Sequence, residues 1–104
     1  MSEFVAVAKA SEIQDGGMKG LDVNGKHILL ANIGGRYYAI SNICSHQKCE
    51  LSDGKLEGNA VKCICHGSKF DVTSGSVLSG PAEKPVESYE VKVEGDDITI
   101  GIQE

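Results

Sequence analysis

The sequence predicts an all-β chain: an antiparallel β-sandwich or barrel framework carrying an inserted, loop-built subdomain. Three observations lead there. Apolar residues recur with period two toward both ends of the chain, turn residues separate the runs, and no segment sustains the 3.6-residue period of an amphipathic helix. Composition agrees, with 13 Gly, no Trp, three Tyr and two Phe, as suits short strands joined by tight turns.

The elements follow in order. Phe4–Ala8 alternates as a strand, Ala8–Ile13 allows at most a helical turn, and Glu12–Gly17 is a polar loop. Met18–Val23 and Lys26–Ile33 flank Asn24-Gly25, a hairpin signal because both positions tolerate positive φ. Gly34-Gly35 turns the chain into Arg36–Ile40, completing a meander. Toward the C-terminus Tyr89, Val91 and Val93 alternate, 95–97 turns, and Ile98, Ile100 and Ile102 alternate again. The middle alternates weakly and contains all four cysteines and two of the three histidines. One domain over residues 1–104 is expected, with its framework at about 1–41 and 86–104 and the inserted subdomain at about 42–85.

Charge narrows the function classes. Fifteen acidic against ten basic residues give a formal net charge of −5, which disfavours nucleic acid or an anionic membrane as partner, since both require basic patches. Between Ser41 and Val72 the charges cancel: Lys48, Lys55, Lys62 and Lys69 against Glu50, Asp53, Glu57 and Asp71. A working end in that stretch is therefore locally neutral on an acidic body. No apolar run approaches the roughly 20 residues of a membrane helix, and MSEFVAVAKA lacks the form of a signal peptide. The cytoplasm is the expected compartment, where four cysteines read first as metal ligands.

Two clusters carry the chemistry, Cys44-Ser45-His46-Gln47-Lys48-Cys49 and Cys63-Ile64-Cys65-His66-Gly67-Ser68. Each offers thiolate and imidazole on a short segment, a mixture suited to zinc, copper or an iron–sulfur cluster. Composition alone does not choose among these.

Cys-x-His followed by Cys-x-x-His, here Cys44, His46, Cys63 and His66, resembles the signature of Rieske-type [2Fe–2S] ferredoxins. Gly67-Ser68-Lys69-Phe70-Asp71, Thr73-Ser74-Gly75 and Gly80-Pro81-Ala82 extend the resemblance, which covers essentially the whole chain. It implies that Cys44 and Cys63 hold the inner iron, and His46 and His66 the outer one. Two thiolates and two neutral imidazoles leave the oxidised core near neutral, so an electron is added more easily. Rieske potentials accordingly span about −150 to +300 mV, against about −400 mV for plant-type ferredoxins.

The same resemblance implies roles for three more residues. Cys49 and Cys65 match the extra pair that forms a disulfide between the cluster loops in Rieske subunits of cytochrome bc-type complexes, a pair many oxygenase ferredoxins lack. A cytoplasmic disulfide is unusual outside hyperthermophiles, so the competing reading is two packed thiols. Ser68 matches a serine whose hydroxyl donates to a bridging sulfide and raises the potential; its plain reading is a turn hydroxyl. Phe70 stands where high-potential relatives place a donating tyrosine, and it reads simply as core. With one donor kept and one lost, an intermediate potential is expected.

Plainer readings attach elsewhere. Structural zinc usually takes paired Cys-x-x-Cys knuckles, unlike the ligands here. His27 is an ordinary strand residue. Glu94, Asp96 and Asp97 form a solvated turn, and Gly80-Pro81 resembles the family's proline loop over the cluster. A Cys–His pair can serve as nucleophile and base, but the candidates crowd into two segments without a substrate-binding element, so no enzymatic activity is expected. The resemblance implies a one-electron carrier receiving electrons from a flavoprotein reductase and passing them to a terminal oxygenase or other oxidoreductase. The alternative is the small Rieske-like subunit of an NAD(P)H nitrite reductase, with a cytochrome bc-type role weaker still.

Overall fold

Three antiparallel sheets make up the computed structural model, which describes residues 2–23, 25–43, 49–65, 67–80 and 84–103. The first joins β1 (Ser2–Lys9), β11 (Asp97–Gln103) and β10 (Val91–Glu94) in the order β1-β11-β10. The second has the order β2-β3-β4-β9, from β2 (Met18–Val23), β3 (Lys26–Ile33), β4 (Arg36–Ser41) and β9 (Ser88–Tyr89). The third is a meander of three-residue strands, β5 (Lys55–Glu57), β6 (Ala60–Lys62), β7 (Lys69–Asp71) and β8 (Val77–Ser79). No α-helix occurs among the described residues; two 3₁₀ turns, Ala10–Glu12 and Leu51–Asp53, are the helical pieces. The helical turn expected within Ala8–Ile13 is the first of these. The Glu12 carboxylate accepts the Lys9 backbone N–H there and pairs with Lys19 Nζ at 2.7 Å.

Strand β3 departs from simple alternation for a reason that organises the molecule. Ile28 through Ala31 form one continuous buried run. Such a run belongs to a strand covered on both faces. Ile28 and Leu30 face a core built with Ala39, Ile98 and Ile100 of the framework. Leu29 and Ala31 face a second core with Leu51, Val61, Phe70 and Val72. The period-two signal survives as an alternation between two cores, not between core and water.

Two surface expectations are refined. His27 Nδ1 lies 2.6 Å from Asp22 Oδ1, its cross-strand neighbour on β2, so it is a strand residue with an acidic partner. Asp97 is more than a solvated turn residue, because Lys9 Nζ ion-pairs with it where β1 meets β11.

Candidate metal centre

Two chain segments approach each other at the edge of the second core. The first leaves β4 at Asn42 and returns at Glu50, which pairs with Ile43 in an isolated antiparallel bridge. Asn42 is buried and fixes this exit from several sides. Its Oδ1 accepts the Ser52 N–H at 2.8 Å, its Nδ2 donates to Ser52 Oγ at 3.0 Å, and its own N–H donates to the His27 carbonyl at 2.9 Å. Its carbonyl accepts the Leu51 N–H at 2.6 Å. The framework hairpin, the segment's entry and the 3₁₀ turn after it thus meet at one residue.

The second segment joins β6 to β7. Cys63 N–H donates to the Ser68 carbonyl at 2.7 Å, and Gly67 N–H donates to the Cys63 carbonyl at 3.1 Å. Gly67 turns the chain at φ 80°, a left-handed conformation that glycine adopts without a Cβ penalty. Closing the turn buries its base and exposes its tip: Cys63 is 2% exposed and Ser68 0%, whereas Ile64 is 66% exposed. Cys63 also lines a cleft of about 450 Å³ with Asp53, Gly54, Lys55, Lys62, Ile64 and Gly67.

A disulfide between Cys49 and Cys65 ties the segments together, with a Cα–Cα separation of 6.5 Å across 16 residues of chain. The sulfurs of Cys49, Cys63 and Cys65 all lie within 4.8 Å of one another. Because two of the three are bonded together, they do not offer a three-thiolate site. Of the expected ligands, Cys63 is the one that is described; Cys44, His46 and His66 lie outside the described residues, as does Pro81 of the Gly80-Pro81 loop.

The one described candidate ligand, the Cys63 thiol, is of a type that suits a [2Fe–2S] group. A thiol buried beneath a hydrogen-bonded turn is withheld from solvent. Nearby charge is balanced, with Lys69 Nζ of β7 3.4 Å from Glu57 Oε1 of β5, the two strands that flank β6. Phe70 lies fully within the second core beside Cys63, as its plain reading required. Sequence reasoning missed Asn42 and Ile64. An Asn two residues before the first candidate ligand, at a strand end where its amide can fold back, was the available signal for Asn42; nothing marked Ile64.

Comparison with known proteins places this geometry in context. The profile described as "Rieske [2Fe-2S] domain" matches residues 3–90. The ferredoxin component of the naphthalene 1,2-dioxygenase/salicylate 5-hydroxylase systems of Ralstonia sp. is 38% identical over 91 residues, covering 88% of each chain. The cytochrome b6-f complex iron-sulfur subunit of Chlorobaculum thiosulfatiphilum is 38% identical over 96 residues, covering 92% of this chain and 52% of that one. Among solved structures, the ferredoxin of carbazole 1,9a-dioxygenase from Nocardioides aromaticivorans IC177 superposes with a TM-score of 0.91 at 32% identity, covering 93% of this chain and 95% of that one.

Proposed function

The chain belongs to the Rieske [2Fe–2S] domain family, and from that premise we propose that Cys44 and Cys63 hold one iron while His46 and His66 hold the other. The protein is a one-electron carrier, not an enzyme, and its cofactor is a Rieske-type [2Fe–2S] cluster. When bound, that cluster supplies one-electron redox chemistry at a potential raised by its imidazole ligands.

This chain's residues supply the setting. Cys63 presents its thiolate from the buried base of the second turn, Asn42 and Ser52 fix the exit of the first segment, and the Cys49–Cys65 disulfide keeps the segments together. Ser68 is the hydroxyl we assign to tuning: a donor beside the cluster favours the more negative reduced state. With Phe70 unable to donate, the potential is intermediate. The domain is one unit, its framework at about 1–41 and 86–104 and its cluster-bearing subdomain at about 42–85.

A flavoprotein reductase is the donor and a terminal oxygenase the acceptor, by analogy with relatives named as ferredoxin components of dioxygenase systems. The acceptor meets the end carrying exposed Ile64, where charge is balanced. No helix among the described residues is long and apolar enough to cross a membrane, and we assign the protein to the cytoplasm. One observation favours a second acceptor: the cysteine pair is shared in type with cytochrome-complex Rieske subunits, and a b6-f iron-sulfur subunit is among the relatives.

The observation that carries the ligand assignment is the union of the two cluster segments by a disulfide beside the buried Cys63 thiol. Its test is electron paramagnetic resonance of the dithionite-reduced protein. A rhombic signal, with average g below that of all-cysteine [2Fe–2S] clusters, is expected. A silent spectrum with stoichiometric zinc overturns the assignment. Reconstitution with a reductase and either an aromatic-ring dioxygenase or a cytochrome complex separates the two acceptors.

A further inference from the structure

The Cys63 sulfur lies within 4.8 Å of both sulfurs of the Cys49–Cys65 disulfide. We propose that these cysteines form a thiol–disulfide exchange triad, in which Cys63, until iron engages it, attacks Cys49 Sγ to form a Cys49–Cys63 disulfide and releases Cys65 as a thiolate. One S–S bond forms as another breaks, so nothing is oxidised or reduced. The proton given up by Cys63 is matched by the one Cys65 takes from water. The reverse exchange restores the original pairing.

Three features select this direction. Exchange passes through a thiolate aligned with the disulfide it attacks, and its rate depends on proximity, access and the leaving thiol. Cys63 is buried, which shields it from external reagents but leaves a sulfur neighbour within the same packed unit, where effective concentrations are very high. Cys65 is exposed, so its departing thiolate is hydrated as it forms, making it the better leaving group. Cys49 is the electrophile because it stands on the other segment, whereas bridging Cys63 to Cys65 would close a ring over Ile64 alone and distort the hydrogen-bonded turn.

The consequence bears on cofactor loading. The exchanged isomer holds Cys63 in a bridge, so it cannot ligate iron. Loading and exchange therefore compete for one sulfur, and iron bound at Cys63 preserves the Cys49–Cys65 pairing. This protective half rests on the ligand assignment proposed above; the exchange itself does not.

The experiment uses the full chain, loaded with its cluster or freed of metal by a chelator under anaerobic conditions. Samples are acid-quenched over a time course, alkylated and digested with trypsin. Cys49 falls in peptide 49–55, while Cys63 and Cys65 share peptide 63–69, so fragment ions must assign the label. In the metal-free chain, alkylation moves from Cys63 to Cys65 as a Cys49–Cys63 cross-link accumulates, independent of protein concentration. Because the folded arrangement brings the sulfurs together, exchange is about tenfold or more slower in concentrated urea. A metal-free chain that keeps Cys49–Cys65 alone, or exchanges no faster folded than in urea, overturns the triad. A loaded chain that exchanges while its cluster spectrum is intact overturns Cys63 as a ligand and leaves the triad standing. Cys63→Ser removes the proposed nucleophile and leaves Cys44 as the remaining thiol, so label is expected to reach its Cys65 about tenfold or more slower than in the parent; release of Cys65 at the parent's rate also overturns the triad.

Discussion

Asn42 holds the exit of the first cluster segment through both ends of its amide, and its contribution is measurable. Asn42→Ala strips Ser52 of two partners and is expected to cost about 1–3 kcal/mol, read by urea unfolding, with Asn42→Asp recovering part of the loss through the retained acceptor. At the ligands the expected readout is potential, not stability. His46→Cys adds a thiolate to the proposed set, so a potentiometric titration should find a lower potential; a raised one contradicts the charge argument. Phe70 is fully buried, and Phe70→Ala is expected to cost about 3–5 kcal/mol by the same unfolding measurement. These residues also mark the limit of reading a chain before it is folded. The Cys/His pattern is legible because metal chemistry demands those residue types at close spacing. Asn42 carried only the weak signal of an Asn at a strand end, because its partner Ser52 comes within reach only after the intervening bridge and 3₁₀ turn have formed.

At the level of elements, the framework strands were legible and the inserted meander was not. Lys26–Ile33 is long enough to declare itself, and its flanking hairpin carries a strong turn signal. Strands β5 to β8 have three residues each, too few for period two to emerge, so the subdomain reads as loop although its register is regular from β5 through β7. What fixes its far edge is Gly75, whose carbonyl accepts the Val86 N–H at 2.9 Å and whose φ is +83°. A Cβ there would drive into the Val86 carbonyl. Gly75→Ala is expected to cost more than about 1 kcal/mol, seen as a lowered unfolding midpoint. Strand β9 returns the chain to the framework by pairing Tyr89 with Ala39. Burial, together with the hydrogen bond donated to Glu87 at 3.0 Å, pushes the Tyr89 hydroxyl up to about 12. An unfolded tyrosine ionises near 10, so the folded state holds this proton more tightly. The stabilisation is complete below about pH 10 and is lost as pH rises through about 12. Comparing Tyr89→Phe with the parent in alkaline unfolding should flatten that part of the curve.

Across the whole molecule, charge and covalent linkage divide the labour. The formal excess of −5 lies outside the stretch from Ser41 to Val72, leaving the proposed cluster-bearing end neutral. The disulfide closes a loop of 16 residues, and in a chain-entropy account opening it costs about 3 kcal/mol. Beneath both lies β3, with a core on each face. Neither half can shed its packing without uncovering a side of the same strand. The amide protons of Leu29 and Leu30 should therefore exchange with deuterium only when the entire chain opens, at a common free energy although their side chains belong to different cores. An electron carrier built this way ages as one piece: its redox end lasts as long as its scaffold, and both are expected to fail in a single event.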